Sequence, residues 1–318
     1  RWSGRLIQPH NFPRGSIKDV NECIDTLKMN DYELFKYLYP DVMGAISSCL
    51  RGMITAPVGR DLIAADFASI ESRVLFWLAN EKTGLQIYKT HGKAYEDMAS
   101  FIYNKPIDAI KKDSMERQLG KAAILGCGFQ MGKIKFYDTC HDWGIPVTKA
   151  QAAMGVDGFR KRFPKVVKFW YALNDAAIAA VENPGLVTEV GLIKFKHTGG
   201  FLYCRLPNGR KIAYREPIIK EEPTRFGVKK QVSFMGTNSK TKKWERQRTY
   251  GGKLAENIVQ ATARDFMADG MLRVEKEGYH IIMTVHDEII CEVPEAFGSV
   301  EEFEKLMATV PTWGKGCP

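Results

Sequence analysis

Residues 280–293 read His-Ile-Ile-Met-Thr-Val-His-Asp-Glu-Ile-Ile-Cys-Glu-Val, and the predicted fold depends on them. Two β-prone runs are separated only by His286 and Asp287, which predicts a hairpin with a charged tip. A second apolar run, Asp61-Leu-Ile-Ala-Ala-Asp66-Phe67, ends at a carboxylate and suits a buried strand that is exposed at its C-terminal end. If these elements are neighbours in one sheet, Asp66 and Asp287 converge on one point.

The composition predicts a globular chain with a basic surface. The chain has 318 residues, of which 45% are hydrophobic, enough for one large or two smaller domains. Its net charge of +9 modestly raises the expectation of a polyanionic partner. The seven cysteines are odd in number and lack C-x-x-C spacing, which argues against a disulfide scaffold or zinc ribbon and fits a reducing cytosol. No uncharged apolar run reaches about 18 residues, so no membrane partner is expected.

Most of the remaining chain is predicted to be helical. Residues 17–50 carry apolar residues at helical spacing with a break at Pro40, and residues 85–183 are mainly helical. Ser69 is a candidate N-cap for the helix that follows it, and Asp113 with Glu116 resembles a capping box. An amphipathic helix is predicted from Lys253 to Glu277, with an outer face formed by Lys253, Glu256, Gln260 and Arg264.

Residues 187–250 have a different character. Leu206-Pro-Asn-Gly-Arg210 is an Asn-Gly hairpin signal between two β-prone runs. The stretch 219–250 is dense in Lys and Arg and is predicted to be a basic loop. It could bind phosphates without reading sequence, or it could simply be a solvated loop. Neighbouring aromatic residues slightly favour nucleic-acid binding.

Two groups of residues could carry chemistry. Asp66 and Asp287 could hold two metal ions for phosphoryl transfer, although each could also be an ordinary turn residue. Arg117, Lys121, Leu125 and Phe129 recur every four residues and could grip phosphates and stack on a base, or form a solvated basic stripe that passes into the core. A His-Asp pair also marks metal-dependent phosphohydrolases, but there it lies on a helix, with further histidines as ligands.

In combination, these segments resemble DNA polymerase family A. Three stretches resemble motifs A, B and C of that family: Asp66-Phe-Ala-Ser-Ile-Glu71-Ser-Arg73, Arg117-x-x-x-Lys121-x-x-x-Leu125-Gly-x-x-Phe129 and Val285-His-Asp-Glu288. Ser3-Gly-Arg5-Leu6, Asn11-Phe-Pro13 and Gln260-Ala-Thr-Ala-x-Asp265 are similar to further segments of the family. These elements occur in the family's order and span almost the whole chain.

The resemblance implies a role for each matching residue. Asp66, Asp287 and the Phe67 carbonyl are expected to hold two Mg²⁺ ions, with Mn²⁺ as an alternative, and Glu288 to support this catalytic site. Lys121 is also expected to protonate the departing pyrophosphate. The residues expected to bind the dNTP are Arg117, Lys121, Leu125, Phe129, Tyr95 and Glu71, the last of which would exclude ribonucleotides. The residues expected to contact DNA are Arg5, Gln260, His286, Lys253 and Arg264.

The resemblance also implies an α+β right-hand architecture, with an antiparallel palm sheet and helical fingers. The expected domains are palm at 1–84 with a helical insertion at 17–50, fingers with the hairpin and basic loop at 85–250, and palm again at 251–318. Thumb and exonuclease domains are expected to be absent from this chain and to lie upstream in a longer protein. Because Leu125 stands where the family usually has Phe or Tyr, discrimination against dideoxynucleotides is expected to stay intact.

The expected activity is template-directed, primer-dependent DNA synthesis from dNTPs on primer-template DNA. The expected location is the cytoplasm of a bacterium or a phage-infected cell. Two alternatives stay open: a non-catalytic nucleic-acid-binding fragment, and a single-subunit RNA polymerase that shares the metal aspartates and the motif B lysine. Glu71 and Gln260 favour DNA synthesis over RNA synthesis.

Overall fold

The structure is a computed structural model that describes residues 11–13, 15–224 and 227–318. Short 3-10 turns occur at Ile107–Ala109 and Thr312–Gly314. In chain order the helices and strands are α1 (Val20–Lys28), α2 (Tyr32–Leu38), α3 (Val42–Cys49), β1 (Arg60–Asp66), α4 (Ile70–Leu78), α5 (Lys82–Thr90), α6 (Ala94–Tyr103), α7 (Met115–Cys127), α8 (Lys133–Asp142), α9 (Lys149–Arg162), α10 (Pro164–Glu182), β2 (Val187–Val190), β3 (Ile193–Thr198), β4 (Phe201–Arg205), β5 (Lys211–Thr224), β6 (Gly227–Thr237), β7 (Trp244–Arg248), α11 (Gly251–Lys276), β8 (His280–Val285), β9 (Glu288–Pro294) and α12 (Val300–Ala308).

The chain divides into two compact units. The smaller unit comprises residues 1–68 and 267–309, and the larger unit comprises residues 69–266 and 310–318. Both contain helices and an antiparallel sheet, which confirms the predicted α+β class. The unit boundaries differ from the domain boundaries expected at 84 and 250, so the assignment of those ranges to palm and fingers stays a prediction.

The sheet of the smaller unit has the strand order β1-β9-β8, and both pairs are antiparallel. The predicted hairpin at 280–293 is therefore confirmed, and β1 pairs along its whole length with the second strand of that hairpin. Ile63 on β1 joins a core formed with α11, α12 and β9. The expectation that β1 is a buried strand is wrong, because its other face is open and leaves Ala64 exposed.

Three short helices in the smaller unit confirm the helical prediction for 17–50 and the break at Pro40. Each begins at an aspartate whose carboxylate accepts a hydrogen bond from a first-turn backbone N–H, and these N-caps are Asp19, Asp31 and Asp41. The helices share a small core of Cys23, Phe35, Ala45 and Cys49. All seven cysteines of the chain are free, buried thiols.

The larger unit confirms the helical prediction for 85–183, but one predicted cap, at Asp113 and Glu116, is wrong. Helix α7 begins after Ser114, whose hydroxyl accepts a hydrogen bond from the Arg117 N–H, so Asp113 and Glu116 do not form the cap. Ser69 precedes α4 as expected, but its φ of 55° is left-handed and its side chain makes no capping hydrogen bond. The amphipathic helix predicted from Lys253 is α11.

The larger unit also contains a six-stranded antiparallel sheet in which β2 to β7 lie side by side in chain order. The Asn-Gly turn joins β4 to β5 as predicted, and Gly209 has a left-handed φ of 92° there. The expectation of a loop at 219–250 is wrong, because β5, β6 and β7 cover most of it. A register shift between Arg215 and Ile218 interrupts the alternation that would have marked β5 as one long strand.

In the part of the chain that the structure describes, no helix is both long and apolar enough to cross a bilayer.

Candidate active site

The C-terminal end of β1 and the tip of the β8–β9 hairpin are joined directly within the smaller unit. The register places Asp66 opposite Glu288, and the Phe67 N–H donates a hydrogen bond of 3.2 Å to the Asp287 carbonyl. Asp66 is exposed, whereas Asp287 and Glu288 are half-buried. The antiparallel pairing therefore gathers three acidic residues from distant parts of the sequence at one end of the sheet.

The hairpin tip contains only His286 and Asp287, because Val285 and Glu288 form the last pair of the ladder. His286 has a left-handed φ of 54°, a conformation that is uncommon for residues other than glycine. The exposed His286 side chain and the half-buried Asp287 side chain thus both lie at the turn. A two-residue turn fixes their position relative to the strands.

The acidic residues repel one another. Burial raises the pKa of Asp287 and the negative charge of Asp66 raises it further, whereas a backbone hydrogen bond and His286 act in the opposite direction. Burial also raises the pKa of Glu288, as do the charges of Asp66 and Asp287, with Arg51 opposing them. Because the protein compensates these charges only in part, a bound cation would relieve the repulsion.

The donor chemistry at this end fits a hard divalent cation. Carboxylate and carbonyl oxygens are the ligands that Mg²⁺ prefers, and Mg²⁺ often uses only one or two carboxylates together with substrate phosphates. In the described ranges, no group of three or more His, Cys, Asp or Glu side chains could hold a metal ion. The expected ligands are two carboxylates and one backbone carbonyl. Because only two of these ligands are side chains, they do not form a group of three or more such side chains.

In the larger unit, α7 presents the residues of motif B. Lys121 is exposed, Leu125 is 45% exposed, and Arg117 is half-buried one turn before Lys121. The opposite face of α7 is buried in the core through Leu119, Ala122, Ala123 and Ile124. Phe129 follows the helix end and packs partly against the same core. The four-residue spacing thus places two cations and an exposed apolar side chain on one face of α7.

Helix α6 holds Arg117 in place. The Arg117 Nε donates a 2.6 Å hydrogen bond to a Glu96 carboxylate oxygen, and its guanidinium lies 5.5 Å from the centre of the Tyr95 ring. Burial alone would raise the pKa of Glu96, but the hydrogen bond and charge of Arg117 lower it below its usual value. Sequence reasoning selected Tyr95 and missed Glu96, although the two are adjacent.

Gly120 permits α6 and α7 to lie in close contact. A Cβ atom at this position would lie 2.3 Å from the Tyr95 carbonyl oxygen and 2.9 Å from the Ala99 backbone nitrogen. Both are main-chain atoms, so the clash could be relieved only by separating the helices. Gly120 lies between Arg117 and Lys121 in sequence and thereby sets the position of both cations relative to α6.

Helix α11 exposes the predicted DNA-contacting residues Lys253, Gln260 and Arg264. On its buried side, Asp265 pairs at 2.7 Å with Arg210, which lies in the turn between β4 and β5. Burial raises the pKa of Asp265, and Arg210 acts against that shift. Sequence reasoning did not foresee this pair, which anchors the Asn-Gly turn to α11.

The remaining predicted residues are dispersed. Glu71 is exposed in the first turn of α4, in the larger unit. Arg5 lies outside the described residues. The structure therefore gathers Asp66, Phe67, His286, Asp287 and Glu288 in the smaller unit, and presents Arg117, Lys121 and Leu125 together on α7 in the larger unit.

Comparisons with known proteins identify the relatives of this chain. A family model described as DNA polymerase family A matches residues 42–189. All 318 residues align at 37% identity with the DNA polymerase of Bacillus phage SP02, of which they cover 48%. These matches agree with the resemblance to DNA polymerase family A. The chain is also 24% identical over 251 residues to the thermostable DNA polymerase I of Thermus aquaticus, covering 77% of the chain and 24% of that relative.

A solved structure supports the fold of this chain. It is the POL domain of Pol1 from M. smegmatis in complex with DNA primer-template and dNTP. The match has a TM-score of 0.52 at 19% identity and covers 83% of this chain and 38% of the other. The resemblance predicted from the ordered motifs is thus confirmed, and the chain spans about half the length of the phage relative.

Proposed function

We propose that this chain is the polymerase core of a longer family A DNA polymerase and extends a primer on a DNA template from dNTPs. The observation that carries the proposal is the hydrogen bond from Phe67 to Asp287, which joins two acidic strand ends from distant parts of the sequence. The phage relative is named a DNA polymerase, and the M. smegmatis domain was solved with primer-template and dNTP.

The proposed reaction would use divalent cations. Asp66, Asp287 and the Phe67 carbonyl would hold two Mg²⁺ ions, or Mn²⁺ in their place. Such ions, when bound, stabilise the attacking and leaving oxygens of a phosphoryl transfer. Glu288 lies opposite Asp66 in the sheet and adds negative charge that draws cations to this end.

The cations of α7 would act on the triphosphate. Arg117 and Lys121 would bind its phosphates, with Tyr95 beside Arg117 and with Leu125 and Phe129 offering apolar contacts to the sugar or base. The primer 3′ hydroxyl releases its proton to water as its oxygen forms a bond to the α-phosphorus, and the bond from that phosphorus to the pyrophosphate oxygen breaks. Lys121 then donates a proton to the departing pyrophosphate.

Other residues would select the sugar and hold the DNA. Glu71 would close the space beside the sugar 2′ carbon, so that a ribonucleotide is excluded. Gln260 would contact minor-groove acceptors that all base pairs share, which permits synthesis on any sequence. Lys253 and Arg264 lie on the same exposed face of α11 and would contact phosphates, as would His286 near the primer terminus. Arg5 would contact the minor groove at the primer terminus together with Gln260.

The test is primer extension by the longer protein that carries this sequence, with Mg²⁺ and a labelled primer-template. Extension with dNTPs is expected, together with its loss in Asp287→Ala despite a native circular dichroism spectrum. Extension with rNTPs at equal rate would instead identify an RNA polymerase. DNA binding without any incorporation would show that the chain is a non-catalytic binding fragment, and would overturn the proposal.

A further inference from the structure

One face of the six-stranded sheet carries a regular array of cations. In an antiparallel ladder, directly opposite residues project from the same face of the sheet. The register pairs Lys194 with Arg205 and Arg205 with Lys211 across β3, β4 and β5. Lys196 opposite Tyr203 and Arg215 opposite Phe201 lie on the same face. We name this set the basic face: Lys194, Lys196, Phe201, Tyr203, Arg205, Lys211 and Arg215.

The other side of the sheet is its core side. Phe195, Leu202, Cys204 and Tyr214 alternate with residues of the basic face and are at most 3% exposed. Helix α10 packs on this part of the sheet. The basic face therefore points away from the core of the larger unit, toward solvent.

The cations of the basic face are only partly neutralised. Lys194 pairs with Glu189 at 2.5 Å, and Arg215 pairs with Glu216 at 3.1 Å. Lys196, Arg205 and Lys211 are exposed, and none of them pairs with a carboxylate among the described residues. They occupy three adjacent strands and so extend over roughly 10 Å, given the usual spacing between strands. This row of positive charge is available to an anionic ligand.

Two aromatic rings lie within this row of charge. Phe201 and Tyr203 have ring centres 5.7 Å apart and planes inclined by 28°, and the Lys211 ammonium lies 5.6 Å from the centre of the Tyr203 ring. Both side chains are partly exposed, and neither belongs to the hydrophobic cluster of the larger unit. Apolar rings on an outer sheet face are poorly explained by core packing. Interleaved with cations, they match the stacking platforms that bind unpaired bases.

We propose that the basic face binds single-stranded DNA, with phosphates against Lys196, Arg205 and Lys211 and bases stacked on Phe201 and Tyr203. Single strands are favoured over duplex because stacking on the rings requires a base whose face is uncovered. None of these residues has a role in the proposed reaction. The inference goes beyond that function and holds whether or not the chain incorporates nucleotides.

The first test removes the charge. The probe is a fluorescein-labelled oligothymidylate, and its anisotropy with the 318-residue chain is measured over a salt series without Mg²⁺ or dNTP. The variant Lys196→Gln/Arg205→Gln/Lys211→Gln is expected to bind about 10-fold more weakly, with a salt slope reduced by about 2 because each phosphate contact contributes about 0.7. A matched control is Lys82→Gln/Lys89→Gln/Lys135→Gln, which removes the same charge from exposed positions on α5 and α8.

The second test removes the stacking surface. Tyr203→Leu is expected to weaken oligothymidylate binding by about 5-fold or more while leaving the salt slope unchanged, because stacking on one base contributes about 1–3 kcal/mol. Equal loss of affinity in the charge variant and its control would overturn the proposal. An equal loss of affinity for a duplex of the same length in the charge variant would also overturn it, because the basic face would then not favour single strands. Because the assay contains no dNTP, failure here is separate from failure of the proposed reaction.

Discussion

The acidic strand ends of the smaller unit and the cationic face of α7 in the larger unit differ in how far the protein compensates their charges. At the strand ends, burial and then the charges of neighbouring carboxylates raise the pKa values of Asp287 and Glu288, and a backbone hydrogen bond, His286 and Arg51 offset this only in part. On α7, Arg117 already has a carboxylate partner, and that pairing lowers the pKa of Glu96. The acidic end therefore carries negative charge that a cation from outside would offset, whereas the cationic face is held in position by the protein's own counter-charge.

The largest effect is expected from removing a carboxylate charge at the acidic strand ends. Asp287→Asn keeps the shape of the side chain but removes the charge that a divalent cation requires. The rate of primer extension is expected to fall by about 10³-fold or more, because the lost carboxylate would act in the chemical step. The melting temperature without metal is expected to stay the same or rise, because the substitution relieves repulsion with Asp66 and Glu288.

Asp61→Asn is the matched control for that substitution. It removes a carboxylate from the same three-stranded sheet, at an exposed position near the start of β1. Both the extension rate and the melting temperature of this variant are expected to match those of the unchanged chain. Extension by Asp287→Asn within about 10-fold of the unchanged rate would show that the cation does not depend on this carboxylate.

The next effect is stabilisation by Mg²⁺. A ligand that binds only the folded state at 100 times its Kd adds about 2.7 kcal/mol to the free energy of unfolding. We expect Mg²⁺ to raise the melting temperature of the unchanged chain at neutral pH and to have little effect on Asp287→Asn. Differential scanning fluorimetry with a Mg²⁺ titration measures both. An equal rise in the two proteins would place the stabilising ion elsewhere.

A smaller effect is expected from displacing the cationic face. Gly120→Ala introduces a methyl group against the Tyr95 carbonyl, so α6 and α7 must separate. The cost is expected to be about 1–3 kcal/mol of unfolding free energy, as for other overpacked cores. Urea unfolding measures this cost, and the KM for dNTP is expected to rise because Arg117 and Lys121 move together. Gly132→Ala is the control, since a Cβ there meets no atom within 4 Å.

The smallest effect concerns the counter-charge of Arg117. Because the folded-state pKa of Glu96 lies below its usual 4.5, the pair contributes stability above about pH 4.5, and this contribution is lost as the pH falls through the lowered value. Between neutral pH and about pH 3.5, the melting temperature of Glu96→Gln is expected to fall by less than that of the unchanged chain. Identical pH profiles would show that the pair is not formed in solution.

Local patterns in the sequence predicted much of the fold of both units. The alternation at 280–293 and the helical spacing of α11 identified elements that form as expected, because their apolar periods match their burial. The six-stranded sheet was missed from residue 219 onward, in the second half of β5 and in β6 and β7. Lysines there occupy both faces of the strands, so that Lys230 pairs with Glu182 of α10 while Lys220 lies opposite Gln231. Charge on both faces hides the two-residue period.

The candidate site was predictable only as a set of residues. Motif spacing selected Asp66 and Asp287, but their meeting depends on pairing between strands more than 200 residues apart, which no local pattern specifies. The Glu96–Arg117 and Arg210–Asp265 pairs were missed for the same reason, since each joins separate elements. The roles of the individual residues stay predictions that the variants above address.

The two-residue tip of the β8–β9 hairpin also restricts how this region can change in evolution. One residue added to or removed from the tip would shift the pairing by one, exchanging the buried Ile289, Cys291 and Val293 with their partly exposed neighbours. The connection between β6 and β7 is longer, at residues 238–243, and can change length without moving Asp287. Homologues are therefore expected to differ in residue type at the hairpin tip while keeping its length constant.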